Sequence, residues 1–280
     1  MLEYIKSPLN YIGGKGKLLN QILPLFPKEI DKFVDLFCGG CNVSINVDAK
    51  TIYSNDVLYH LINLFKGFKN NPTEEVVKHI ENQIVKFELS KTNTESYNTF
   101  RKHYNEFKNP LDLFVLVAFA FQYYVRFNTK QQFNSAKGNG HFSDKMKNNL
   151  IGFVDKLHNT DIKFSTDEFQ LFDFSILTEN DFLYADPPYL ITNGSYNDGK
   201  RGFTGWSEKE EYLLLDILDN LNKRNIKFAL SNVIDHKGKS NDILKNWIKN
   251  NEILQVHYIN AKYSLGNNVS TSNEVLITNY

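Results

Sequence analysis

A chain of 280 residues suffices for one large domain or two modest ones, and its 32 basic and 32 acidic residues cancel to zero net charge, which argues against a uniformly polycationic or polyanionic surface. The two cysteines, Cys38 and Cys41, stand close together with no second pair, which excludes a disulfide framework and a four-ligand zinc site and suits a reducing compartment. Met1-Leu2-Glu3-Tyr4 carries no basic, apolar leader, and no apolar run approaches the roughly 18 residues of a membrane span, so a soluble cytoplasmic chain with no membrane partner is expected. The charge is unevenly spread. Residues 60–160 hold 14 Lys and Arg against 9 Asp and Glu, leaving the compensating acidic excess to the rest of the chain. This basic middle third reads either as an ordinary solvated helical face or as a nucleic-acid surface.

Taken in chain order, Lys32-Phe33-Val34-Asp35-Leu36-Phe37 is a short apolar run ending in Cys38-Gly39-Gly40, and the stretch to Val47 can run as a helix: strand, glycine turn, helix. Thr51-Ile52-Tyr53-Ser54 is a second strand, stopped by Asn55-Asp56 and followed by a helical pattern from Leu58 through Phe68. Residues 74–127 space apolar side chains by three and four with no strand signal, so they form a helical insertion. From Lys130 to Asn149 the chain turns polar around Gly138-Asn139-Gly140, which predicts an exposed loop or hairpin. Strand character returns at Ile162–Ser165, Phe182–Ala185, Lys227–Ser231, Ile253–Tyr258 and Glu274–Thr278, with helices at Glu208–Asn222 and Asn241–Lys249. The pattern predicts a mixed, mostly parallel α/β sheet with residues 1–59 and 161–280 as its core and residues 60–160 as an inserted helical region.

Asp186-Pro187-Pro188-Tyr189 follows the strand Phe182–Ala185 directly, where ligands of an α/β sheet bind. An aromatic amine is a poor nucleophile because its lone pair is delocalised into the ring. Acceptors that hold its N–H groups pull the nitrogen toward tetrahedral geometry. Asp186 offers a carboxylate, the Pro187 carbonyl a second acceptor with Pro188 unable to donate, and Tyr189 a ring to stack on an extruded base. A tight turn with a buried tyrosine is the alternative reading of the same four residues.

With these residues in place, the chain resembles the Dam-type (alpha-order) DNA N6-adenine methyltransferases over nearly its whole length, with motifs in the order cofactor, target recognition, catalysis. The resemblance implies a Rossmann-like core that binds S-adenosylmethionine, with residues 60–160 as a target-recognition domain. Tyr11-Ile12-Gly13-Gly14-Lys15 is similar to the opening motif, in which Tyr11 and Lys15 touch the methionine part of the cofactor and Gly13 and Gly14 let the backbone approach. Phe33-Val34-Asp35-Leu36-Phe37-Cys38-Gly39-Gly40 resembles the first cofactor motif, so Asp35, Phe37, Gly39 and Gly40 inherit cofactor contacts; Cys41 stands where many relatives carry another glycine. Asp56, at the end of the second strand, is suited either to ribose hydroxyls or to capping the helix at Leu58. Phe169 is assigned to the adenine pocket, and Asp186 borders the cofactor as well as the base.

Arg126-Phe127-Asn128-Thr129-Lys130-Gln131-Gln132-Phe133-Asn134 looks like the family's base-reading hairpin, with Arg126, Asn128, Lys130, Gln132 and Asn134 toward DNA. Gln122 and Tyr124 depart from some GATC-specific relatives. The stretch from Ser264 to Asn273 reads either as a phosphate contact or as an ordinary turn. The expected reaction is in-line methyl transfer to adenine N6 in a short duplex sequence after base flipping, with double-stranded DNA as partner and room for a separately encoded restriction endonuclease beside it. Neither cysteine has a Pro-Cys setting, so a thiolate route to C5 of cytosine is not expected. The seven histidines lack ligand spacing and no metal is expected. Two alternatives stay open: N4 methylation of cytosine, and a catalytically idle DNA-binding protein that keeps the fold.

Overall fold

The computed structural model describes residues 4–192, 205–260 and 272–280, with two short strands at 264–265 and 268–269. Five strands run parallel: β1 (Lys32–Asp35), β2 (Thr51–Asn55), β3 (Ile162–Ser165), β4 (Phe182–Ala185) and β5 (Lys227–His236). β6 (Lys239–Ser240) folds back on the end of β5, β7 (Gln255–Ile259) lies at the far edge, and β8 (Ser264–Leu265) and β9 (Asn268–Val269) pair only with each other. β10 (Ser272–Thr278) runs antiparallel between β5 and β7, so the spatial order is β3-β2-β1-β4-β5-β10-β7. The order reverses between β1 and β4. Such a reversal splays the loops that leave two adjacent strand ends, and the resulting crevice is where a doubly wound, Rossmann-like sheet binds ligands.

Alternation along the strands builds a core on each face. Phe33, Phe182 and Tyr184 pack to one side, while Val34, Leu36, Leu183 and Ala185 pack to the other, as period-two side chains of a sheet covered on both faces must. The second face is covered by α7 (Glu208–Lys223) and α8 (Asp242–Lys249), which follow α1 (Leu19–Ile22), α2 (Tyr59–Asn70), α3 (Thr73–Lys86), α4 (Thr94–Phe107), α5 (Pro110–Phe119) and α6 (Asp144–His158) in the chain. α7 starts with a capping box in which Ser207 and Glu210 serve each other's backbone N–H groups.

Apart from Asp112, which pairs with His79 of α3 at 2.7 Å, α5 is apolar, and it is buried from Leu111 to Phe119, with Pro110 at its first turn and Asn109 capping Leu111 N–H at 3.0 Å. It is the hub against which α2, α3 and α4 pack. The buried residues of these helices and of α6 join those of the first sheet face in one continuous cluster. Phe65 of α2 stacks on Phe164 of β3 with ring centroids 5.7 Å apart, which ties the helical block to the sheet edge. No helix among the described residues is long and apolar enough to cross a membrane.

Two local expectations change. Residues 41–47 form turns and not the helix the sequence suggested: Ile45 N–H reaches Cys41 O, whereas Asn46 N–H and Val47 N–H both go to Val43 O. Cys41 sits at φ 61°, outside helical space, and Asn46 is engaged with Ile5 through bonds of 2.8 Å to its N–H and from its own amide to the Ile5 carbonyl. The second change lies in the predicted polar loop, whose last part, from Asp144, is the start of α6, capped by Ser143. Only Leu150, Phe153, Val154 and Leu157 of that helix are buried, so its first turns present a polar surface that masks the helical period.

Candidate active site

The carboxyl ends of β1, β2 and β4 open on a cavity of about 360 Å³. All eleven residues assigned to the cofactor from the sequence line it: Tyr11, Gly13, Gly14, Lys15, Asp35, Phe37, Gly39, Gly40, Asp56, Phe169 and Asp186. Of the remaining residues in the tetrapeptide that follows β4, Pro188 lines it, Pro187 is buried beside it, and Tyr189 turns its hydroxyl inward.

Local hydrogen bonding explains the assembly. Asn42 accepts from Ser7 N–H at 3.2 Å, and together with Asn46 it docks the amino-terminal segment onto the turn after β1. That docking lays Tyr11 across the glycines: a Cβ on Gly39 would stand 3.0 Å from the tyrosine ring, and Gly39 has φ 46°. The left-handed backbone continues at Cys41, a position where glycine relieves strain of about 1–2 kcal/mol. Asn55, buried at the end of β2, donates to Leu36 O and Asp167 O and accepts from Ser165 Oγ and Asp167 N–H, all within 3.1 Å. One amide therefore fixes three strand ends around the cavity.

Asp56 meets the backbone at the start of the helix and at the glycine turn as well. Its Oδ2 accepts from Gly39 N–H at 3.0 Å and its Oδ1 from Leu58 N–H at 2.9 Å, which locks the glycine turn to the start of α2. Phe37, Phe169 and Trp206 form an aromatic wall with centroids 5.3–5.7 Å apart. Trp206, missed from the sequence, is pinned by its indole N–H to Glu211 at 2.5 Å, and Glu211 also accepts from Asn232 and Asn241. The available signal was a rare tryptophan just before a helix cap.

Asp35 is buried and accepts from Ser44 Oγ at 2.6 Å through Oδ2, while its Oδ1 has no hydrogen-bond partner. Burial lifts its pKa to about 7 despite that bond. Lys15, 2% exposed, lies 2.8 Å from Asp186 Oδ1 and 3.4 Å from Glu274 Oε1. Burial pulls its pKa down, but Asp186, Tyr189 and Glu274 outweigh that and hold it well above the ordinary lysine range. Burial raises the Asp186 pKa, with Lys15 opposing. Glu274 was not anticipated as a site residue; it is the one acid in β10. Burial also pushes the Cys38 and Cys41 thiols up, so neither supplies a thiolate.

The segment from Arg126 to Asn134, expected to read bases, forms a hairpin. Asn128 N–H bonds Gln132 O and Asn134 N–H bonds Arg126 O, with Phe127 and Phe133 buried and Arg126, Lys130, Gln132 and Asn134 exposed. α4 clamps it: Asn105 bonds both Phe133 N–H and Phe133 O, and Tyr97 and Arg101 bond Ser135 O. Asn128 is the exception among the five, because its Oδ1 accepts from Lys130 N–H and Gln132 N–H and so holds the hairpin tip. Of the Ser264 to Asn273 stretch, 264–265 and 268–269 pair as β8 and β9 and 272–273 begin β10, while 266–267 and 270–271 lie outside the described residues.

A doubly wound sheet whose switch point opens on an acid-lined aromatic cavity, next to Asp-Pro-Pro-Tyr, matches the Rossmann-like fold of the methyltransferases, a class that generally uses S-adenosylmethionine. The chain belongs to the D12 class N6 adenine-specific DNA methyltransferase family, whose profile matches residues 11–265. It is 53% identical over 283 residues to Modification methylase StsI of Streptococcus sanguinis, covering 99% of this chain and 43% of that protein. It is 49% identical over 283 residues to Type II methyltransferase M.FokI of Planomicrobium okeanokoites, with the same coverage of 99% and 43%. The chain thus spans less than half the length of these two relatives. A DNA adenine methylase of Haemophilus influenzae is 26% identical over 235 residues, 80% of this chain and 78% of that protein.

Proposed function

We propose that this chain transfers a methyl group from S-adenosylmethionine to N6 of an adenine flipped out of a short duplex DNA sequence. The observation that carries the reading is the Asp186 carboxylate, at the rim of the cofactor-sized cavity and adjoining the Pro187 carbonyl at the end of β4. The cavity fits the cofactor chemically. Asp35, with a buried oxygen lacking a partner, complements an ammonium group; Asp56 suits ribose hydroxyls; Phe37, Phe169 and Trp206 suit a flat purine. When bound, S-adenosylmethionine supplies an electrophilic methyl on a sulfonium. The chain's own work is to hold the amine: Asp186 and the Pro187 carbonyl accept its N–H groups, and the Tyr189 ring bears on the extruded base. Residues 60–160 then act as the recognition unit, with Arg126, Lys130, Gln132 and Asn134 toward the grooves and Asn128 shaping the tip.

Labelled methyl transfer to duplex DNA, followed by nucleoside digestion and sequencing of the modified positions, tests the reading. N6-methyladenine in one flanking motif supports it. N4-methylcytosine would move the activity to the other exocyclic amine, and duplex binding with no transfer at any sequence would leave an idle binding protein.

Two variants probe the parts separately. Arg126→Ala should lower kcat/KM on the preferred sequence by about 10–100-fold, the value of a lost base contact of roughly 1–3 kcal/mol, with cofactor affinity and melting temperature unchanged because the side chain is exposed. Equal losses on every sequence would assign Arg126 to phosphate instead. Asp35→Asn keeps an acceptor for Ser44 and removes the charge. The folded pKa of about 7 lies above the ordinary 3.8, so the folded state holds the extra proton and stability falls as pH rises between those values. The ligand-free Asn variant should therefore gain about 1–3 kcal/mol near pH 8, gain little near pH 4, and bind the cofactor more weakly. Thermal melts with and without S-adenosylmethionine measure both effects, and a variant destabilised near pH 8 would refute the buried charge.

A further inference from the structure

Glu274 sits in β10 opposite Val233 of β5 and Ile259 of β7, ahead of the buried run Val275, Leu276 and Ile277, and is itself 1% exposed. An apolar residue would serve the strand better, since a buried carboxylate recovers its desolvation cost only through its partners. Those partners are the catalytic cluster. Glu274 Oε1 lies 3.1 Å from Tyr189 Oη and 3.4 Å from Lys15 Nζ, while Asp186 Oδ1 lies 3.0 Å from the same hydroxyl and 2.8 Å from the same ammonium. Two carboxylates thus share one cation and one hydroxyl, and the hydroxyl has a single proton to donate.

When both donors bear on Asp186 Oδ1, that oxygen is committed and a poor acceptor for an incoming amine. When both shift to Glu274, Asp186 is released without either donor being stranded in a buried site. We propose that Glu274 is a positioning residue for methyl transfer: it draws the Lys15 ammonium and the Tyr189 hydroxyl away from Asp186, leaving that carboxylate to grip the target amine. This rests on the reaction proposed above. Tyr184, whose hydroxyl pairs with Ser231 at 2.8 Å, and Asp35 are the other titratable groups that act on Asp186 or Lys15.

The test is Glu274→Gln, which keeps the shape and an acceptor for Tyr189 but removes the charge. Single-turnover methyl transfer should fall about 10–100-fold, the scale of a misplaced reacting group, with the KM for DNA and the cofactor Kd within about 2-fold. The acid limb of the rate should also move to lower pH, because the Glu274 charge raises the pKa of Asp186. Glu274→Asp, which retains the charge, should keep the wild-type acid limb and recover part of the rate. That comparison holds even if the Gln variant folds poorly, since a Glu274→Asp acid limb displaced like that of a charge-free site would refute the role. A Gln variant with wild-type rate and pH profile, or one that loses only melting temperature, overturns this inference alone. A wild-type protein that transfers no methyl to DNA overturns the reaction and this inference with it.

Discussion

Asp186→Ala is expected to reduce methyl transfer by about 10³-fold, the upper scale for deleting one preorganised electrostatic contact to a developing charge, while duplex affinity stays within a few fold. The target nitrogen shares its lone pair with a purine ring, and the chain offers few groups that can reverse this. Asp186 alone combines a carboxylate, a place at the cavity rim and a backbone set rigidly by β4 and two prolines. Lys15 would not be orphaned by the substitution, because Glu274 remains 3.4 Å away, so the loss should appear in the chemical step and not in folding. The hairpin proposed to face DNA is built on α4 through Asn105, Tyr97 and Arg101, with no bond to Asp186, which is why binding should survive. Rapid-quench transfer of labelled methyl alongside fluorescence anisotropy on the same duplex separates the two quantities. A variant within ten-fold of wild type would remove the electronic argument for this turn.

The contrast between Asp186 and Glu274 marks what could be read from the chain. Asp186 was legible because its signal is local: an apolar strand, then an acid, then two residues that cannot donate. Asp35 and Asp56 were legible in the same way, at the ends of β1 and β2, and Gly39 by the glycine turn that follows β1. Glu274 is a single acid in a β-branched strand, and the lysine that explains it is 259 positions earlier in the numbering of the ion pair; only the closed sheet brings them together. Trp206 was hidden for a related reason, since its partner Glu211 is held by Asn232 and Asn241 from β5 and the start of α8. The missed turns of α6 reflect amphipathicity carried to one end of a helix, where Ser143 and Asp144 supplied a start signal but no apolar period followed until Leu150.

Lys15→Met should cost about 3–5 kcal/mol of stability at neutral pH, the range for breaking a buried ion pair by removing one partner. The side chain is 2% exposed, and its loss removes the ammonium that Asp186 and Glu274 share, while the Tyr189 hydroxyl can donate to one of them at a time. Asp186 then gains relief by protonation. Burial already raises the Asp186 pKa with Lys15 opposing; without the lysine the rise is larger. A carboxyl whose folded pKa exceeds its unfolded value binds a proton preferentially in the folded state, so its stability is intact below the unfolded pKa and lost as pH rises through the folded one. The variant should accordingly be markedly more stable near pH 5 than near pH 8, a steeper fall over that interval than in the wild type. Adding Glu274→Gln to it should return about 1–2 kcal/mol near pH 8, a coupling of the size expected between contacting groups, because one of the two competing charges is gone and the other keeps the hydroxyl. Denaturant unfolding of the three proteins across this pH range decides the matter: a flat profile for the single variant, or no recovery in the double one, would mean that Asp186 does not depend on this lysine for its charge.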